Sequence, residues 1–258
     1  VGTFLTTVKA GDKFRTNEGY EIEVLEYQSY DKVKVRFTEE DNCVKYFTLK
    51  NILRGSPKNP YHPVVRGKGF IGEGPHKSKV RGNSSKTTAE YVHWSSMMTR
   101  SYYEEYHRRF PTYIGCSVEE QWYNFQEFGE WCQWQPGFNM GYVLDKDIIL
   151  QGNKVYGPET CVFIPPELNS IIVTQVKPGK TVPAGISFQN GCQKYIVSCA
   201  IDGKNKNLGR FACPDEAFKV YKSFKEDLVK ERAEKYKDTL DVRAYQAFMN
   251  FTVPEMAL

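Results

Sequence analysis

AGISFQNGCQKYIVSCAIDGKNKNLGRFACPDEAFKVYKSFKEDL, positions 184–228, is the most strongly patterned stretch of the chain. Ile186 and Phe188 alternate with Ser187 and Gln189, the period of two expected of a half-buried strand. Asn190-Gly191 marks a hairpin turn, after which Tyr195, Val197 and Cys199 share one face of a second strand. Asp202-Gly203 marks the next turn and NKNLGRF the third strand. Pro214 then opens a helix, preceded by Cys213 or Ala212, with Asp215 and Glu216 at its positive end. Ala217, Phe218 and Tyr221, followed by Phe224 or Lys225, continue at helical spacing. Three antiparallel strands packed on one helix are expected.

Upstream, LDKDIILQGNKVYGPETCVFIPPELNS (144–170) has a different order. Leu144–Asp147 reads as a strand end, Gln151–Asn153 and Gly157-Pro158 as turns, and CVFIP (161–165) as a second short strand. Pro166 opens a helix through Glu167, Leu168 and Asn169. Strand, loop, strand, helix is the order of a ββα metal finger.

The remaining segments frame these two. Residues 8–54 alternate as short antiparallel strands: EIEVLEY (21–27) turns Ile22, Val24 and either Leu25 or Tyr27 inward, and KVKVRF (32–37) buries Val33, Val35 and Phe37. Residues 55–87 carry Gly and Pro repeatedly, as a linker or extended arm does, with one short strand around Val64–Ile71. A helix is expected over 88–109, N-capped by Thr87 or Thr88, with Tyr91, Trp94, Met97, Met98 and Tyr102 on its apolar face. A second, from about Ser117 to Trp131, carries Val118, Trp122, Phe125 and Phe128. The fold class is therefore α+β. It comprises a small β-barrel, or a curled meander (1–57), a basic linker (58–87), a helical region with the ββα finger (88–176), the sheet-and-helix module (177–237) and a C-terminal tail (238–258).

Seven cysteines without a CxxC pair argue against a disulfide framework, and a zinc site from Cys116, Cys132 and Cys161 lacks paired spacing. No apolar run is long enough to span a bilayer and no signal-peptide pattern opens the chain, so a soluble, cytosolic protein with no membrane partner is expected. The net charge of +4 is unevenly spread. Lys and Arg outnumber Asp and Glu ten to four over 58–109 and thirteen to seven over 177–237, but trail two to eight over 110–176. Basic segments favour a polyanion partner, and equally describe solvated surfaces.

Two resemblances follow from these motifs. WSSMMTRSY (94–102), PTYIGCSVEEQWYNFQEFGEW (111–131), LDKD, YGPETCVF and the helix Asn resemble, in order, the HNH or His-Me finger nuclease module of bacteriophage homing endonucleases, over roughly 88–172. Ser101 stands where that family often has Cys. The resemblance implies Asp145 as a ligand of Mg²⁺ or Mn²⁺, with Asn169 completing the metal shell from the helix. Lys146 holds the position of the catalytic His, and a lysine, protonated at neutral pH in water, is a poor general base. It could instead pair with a phosphate, leaving Asp147 as substitute base or second ligand; His93 and His107 lie on the neighbouring helix. The 184–228 stretch resembles the APETALA2-type DNA-binding domain, through Gly185-Ile186, the NG and DG turns, LGRF and PDEAFKVY. That resemblance implies a sheet laid in the major groove. Ser187, Gln189, Ser198, Asn205 and Asn207 would face the bases, and Lys194, Lys204, Lys206 and Arg210 the phosphates.

Together these imply a phage-type protein that acts on double-stranded DNA in the cytoplasm of an infected bacterial host, an HNH endonuclease if the finger is active. Two alternatives stay open. One is a catalytically inactive DNA-binding or regulatory protein. The other is a factor that binds a host protein through the acidic 110–176 region.

Overall fold

A computed structural model describes residues 7–39, 43–172, 185–201 and 203–254. Asp202 of the expected Asp-Gly turn lies outside them, as does the 176/177 boundary. The chain divides into two compact units, one of residues 1–111 and 120–129, the other of 112–119 and 130–258.

In the first unit, β1 (Lys13–Arg15), β2 (Glu21–Ser29), β3 (Lys32–Phe37) and β4 (Val44–Phe47) form an antiparallel sheet in that order. Alternation along β2 and β3 buries Ile22, Val24, Val33, Val35 and Phe37 against Leu49 and Ile52 of α1 (Leu49–Leu53). Among the described residues β1 and β4 are not paired, so the strands form the meander of the two expected forms and not the barrel. The short helix α1 covers the core that barrel closure would otherwise enclose.

The Gly/Pro-rich stretch is pinned to the fold. Buried Gln126 donates from Nε2 to the carbonyls of Ile71 and His76, at 2.9 and 3.1 Å, and accepts from His76 N at 3.0 Å. A side chain at Gly72 (φ +70°) or Gly74 would run into Asn124 or Gln126, so glycine permits this approach. A two-stranded ladder, β5 (Lys79–Val80) with β6 (Asn83–Thr87), precedes α2 (Ala89–Tyr102). The expected single helix over 88–109 breaks at Tyr103, whose ψ of 108° is extended, before α3 (Glu104–Arg109). Trp94, Met97 and Met98 are buried as the spacing predicts, and Trp94 Nε1 donates to Trp122 O at 2.7 Å.

The second expected helix is shorter too. Ser117–Val118 is a strand, β7, and a 3₁₀ turn separates it from α4 (Phe125–Gln133). β7 pairs in parallel with β9 (Val155–Tyr156) of the second unit, to which it belongs.

The second unit also contains β8 (Val143–Asp145), β10 (Val162–Ile164) and α5 (Pro166–Ile171), then β11 (Ile186–Gln189), β12 (Lys194–Ile201) and β13 (Lys204–Phe211). α6 (Pro214–Lys235) and α7 (Val242–Met249) complete it. α6 serves two cores. Ala217, Phe218 and Tyr221 pack with Ile186 and Val197 of the three-stranded sheet. Two to three turns later, Val229 and Ala233 pack with Val162, Ile164 and Leu168. The stretch read as a tail is largely folded. Ala244 and Phe248 of α7 join the second of these cores, and Val253 joins the first. Among the described residues, no helix is long and apolar enough to cross a membrane.

Candidate functional site

β8 and β10 are antiparallel, with Asp145 opposite Val162 and Val143 opposite Ile164. Every residue of β10 is buried, and Pro165-Pro166 leads directly into α5, with Pro166 in the first turn where its missing N–H costs nothing. Glu167 fixes α5 to α6: its carboxylate lies 2.8 Å from Arg232 Nη1 and accepts from Tyr236 OH at 2.6 Å. Strand, strand and helix thus succeed one another around Asp145 as the sequence order suggested.

Asp145 ends β8, and its Oδ1 accepts from the N–H groups of Asp147 (3.0 Å) and Ile148 (2.8 Å). The turn made by these two bonds, rather than strand alternation, brings Asp147 to the same side as Asp145. Burial, and then the neighbouring Asp147 carboxylate, push the Asp145 carboxyl up to about 6, against the two N–H donors that lower it. Asn153 staples the loop: its Nδ2 donates to Lys146 O and Val155 O, both at 2.7 Å, and its Oδ1 accepts from Val155 N. Asn153 is therefore spent on the backbone.

Lys146, only 7% exposed, turns the other way. Its ammonium lies 3.1 Å from Asp147 Oδ2 and 5.7 Å from the centre of the Tyr156 ring. Lys146 is thus packed inward with its ammonium paired to a carboxylate. Behind it, burial pushes the Cys161 thiol up to about 12, so it carries no thiolate at neutral pH.

Asp145, Asp147 and Asn169 line one cleft of about 520 Å³, with Gln151 and Gly152 from the loop and Asn250 and Thr252 from beyond α7. No histidine is among the described residues that line it. His93 and His107 belong to the first unit. There burial pulls His93 below its ordinary range, and His107 Nε2 lies 2.7 Å from Arg100 O. Asn250 escaped the sequence reading. The spacing of Val242, Tyr245 and Phe248 is its one sequence signal, since it places Asn250 just past the end of a helix.

Two carboxylates and an amide oxygen, the donor types that Mg²⁺ and Mn²⁺ take, line this one cleft; among the described residues no three His, Cys, Asp or Glu side chains gather as an ion site. The turn engages one oxygen of Asp145 and Lys146 one oxygen of Asp147, so water and substrate phosphate would supply the remaining ligands.

The C-terminal sheet presents a second candidate surface. Gln189 pairs with Lys194, Ser187 with Ile196, Ile196 with Arg210, Ser198 with Asn207 and Ala200 with Asn205. These positions share the face turned away from α6, whereas Val197 and Cys199 are buried on the helix side. Seven of the nine sequence-derived DNA-contact residues therefore lie on one face: Ser187, Gln189, Lys194, Ser198, Asn205, Asn207 and Arg210. All but the half-buried Ser198 are exposed. Lys204 and Lys206 fall on the opposite face, opposite Ile201 and Cys199, and Lys206 Nζ sits 4.8 Å from the centre of the Phe224 ring on α6. A bulge between Val197 and Ser198, with Gly209 at φ +132°, reverses the alternation and brings Arg210 to the asparagine face. The hairpin turn that Asn190-Gly191 marks spans Asn190–Gln193, with Gln193 at φ 52°.

No protein-family model, no curated protein and no solved structure matches the chain.

Proposed function

We propose that this protein binds double-stranded DNA on the open face of β11–β13, and that the unit around Asp145 is an HNH-type finger lacking its general base. The observation that carries duplex binding is the gathering of amide, hydroxyl and cationic side chains on one exposed sheet face. Lys194 and Arg210, in adjacent rows at one end of the face, would neutralise phosphates, and Gln189, Asn207 and Asn205 would reach base edges. A mobility shift of a duplex by the full chain, weakening steeply with salt and surviving EDTA, is the expected result. Association that is absent or indifferent to salt overturns the proposal.

The absence of a general base in this reading rests on the finger's own residues. Lys146 cannot accept a proton while it is an ammonium bound to Asp147. Asp145, its carboxyl pushed up to about 6 by burial and Asp147, is placed in the cleft to accept one near neutral pH. A bound cation would favour the carboxylate and draw that value down, so Asp145 cannot serve fully as both ligand and base.

Metal-assisted nicking is the second reading, favoured by the convergence of Asp145, Asp147 and Asn169 on one cleft. A divalent ion there would supply charge stabilisation and a more acidic bound water. Asp145 and Asn169 would orient it, and Asp147 would remain held by Lys146. Incubation of supercoiled plasmid with Mn²⁺ separates the two readings. Nicking that disappears in Asp145→Ala favours the active finger, and intact plasmid favours the binding protein.

A further inference from the structure

We infer that the open face of β11–β13 selects A·T-rich duplex through the major groove, an inference that rests on the duplex binding proposed above. The inventory of that face is specific. Three amides, Gln189, Asn205 and Asn207, are exposed on it, and amides are the side chains that match the N6/N7 edge of adenine. Asn207 Oδ1 already accepts from Gly209 N at 2.9 Å, which engages one lone pair of that oxygen and leaves its second, with the NH₂, for a base edge.

Between the amides lie two apolar residues. Ile196 and Ala200 occupy alternate positions of β12 on this face, flanking Ser198, whereas Tyr195, Leu208 and Phe211 pack into the core under α6. A half-exposed Ile and an exposed Ala amid polar side chains contribute nothing to that core. They are suited to the C5-methyl of thymine, the one apolar group that the major groove displays. Ala200 pairs with Asn205 and Ser198 with Asn207 on adjacent strands, so an adenine-matching amide stands about 5 Å from a methyl-matching or hydroxyl side chain. That juxtaposition on a two-stranded ribbon is the complement of an A·T step.

The opposite reading has fewer supports. Among the described residues none on this face is Asp or Glu, the acceptors suited to cytosine N4. The two cations of this face that suit guanine O6/N7, Lys194 and Arg210, stand at its Gln189–Ile196 end, away from Asn205 and Ala200.

The experiment is an anisotropy titration of the full chain at fixed salt against four duplexes of equal length. They are A·T-rich, G·C-rich, A·T-rich with uracil replacing thymine, and inosine·cytosine-rich. The last presents the minor-groove face of A·T and the major-groove face of G·C. We expect the A·T duplex to bind at least about tenfold more tightly than the G·C duplex. Uracil should weaken binding about fourfold per methyl group contacted. Inosine·cytosine should behave as G·C does, and Asn205→Ala should lower the A·T to G·C ratio. Equal affinity for all four overturns the selectivity and leaves duplex binding standing. Inosine·cytosine binding as tightly as A·T moves the readout to the minor groove and overturns the inference. Failure to bind any duplex overturns both this inference and the proposed function.

Discussion

Replacing Asp145 by Asn should stabilise the protein at neutral pH, because the finger carries its carboxylate at a cost. Asparagine keeps the Oδ1 acceptor for the N–H groups of Asp147 and Ile148, and occupies nearly the same volume. What it removes is a negative charge that burial and Asp147 both disfavour. The carboxyl rises from 3.8 to about 6 on folding. At low pH both states are protonated and the shift has no effect. Between the two values the folded protein holds a proton that the unfolded chain has lost, so stability falls as pH rises. Above about pH 6 the whole penalty is present. Two pKa units correspond to about 3 kcal/mol, and water in the open cleft reduces this to on the order of 1.5–3 kcal/mol. For a chain of this size that is a rise in Tm of roughly 3–10 °C. Thermal unfolding should be followed in EDTA, so that no cation offsets the charge, at about pH 8 and about pH 4.5. The variant's gain should be largest at the higher pH and shrink to about a third of that at the lower. A variant less stable than the parent at pH 8, or an equal gain at both pH values, would refute the electrostatic account of this site.

Three further outcomes are expected. Ser101 Oγ is buried with no hydrogen-bond partner among the described residues, so Ser101→Ala should raise stability by about 1 kcal/mol in chemical denaturation; a loss would show that the hydroxyl is satisfied in solution. Lys225, 6% exposed on α6, has its amine pulled below the ordinary lysine range by burial, partly offset by Cys199. The unfolded chain therefore binds more protons at alkaline pH, and stability should rise as pH climbs toward 10.5. Lys225→Met should stabilise by on the order of 1–2 kcal/mol at pH 7, with a gain that fades in that alkaline window; a gain independent of pH would count against it. On the DNA side, Lys194→Ala should reduce the salt dependence of duplex affinity by about one counterion, whereas Lys206→Ala, against Phe224, should leave it unchanged. Equal effects would mean that the two faces of the sheet are not distinguished by the ligand.

Much of the architecture was legible because it is local. KVKVRF alternates so strictly that strand β3 covers the expected 32–37, and the three C-terminal strands and Pro214 fall where turn chemistry and alternation put them. Element order around Asp145 was legible for the same reason: each piece is only a few residues long and bounded by Gly or Pro. The helices were overread where aromatic spacing continued through a break. Tyr102 and Tyr106 sit four apart, but Tyr103 between them is extended, and pairing with Val155–Tyr156 takes Ser117–Val118 into a sheet. Neither event leaves a mark on periodicity, because each depends on a partner distant in sequence.

The candidate sites divide along the same line. Period two alone separates Lys204 and Lys206 from Asn205 and Asn207, so the placement of those lysines behind the sheet follows from the alternation. The placement of Arg210 does not. It shares the asparagine face because the ladder slips between Val197 and Ser198 while Gly209 takes a conformation that a side chain would strain, and a glycine inside a strand hints at such a bulge without giving its register. The cleft is less legible still. Its floor, Asp145 and Asn169, was in the motif, but Asn250 and Thr252 arrive from some eighty residues downstream because α6 is long enough to serve both cores. The helix pins Glu167 through Arg232 and Tyr236 at one end and packs under the three-stranded sheet at the other only through apolar spacing that runs on for 22 residues. The unit around Asp145 is therefore held folded by contacts remote from the carboxylate, which explains how Asp145 can keep a charge that burial and Asp147 disfavour.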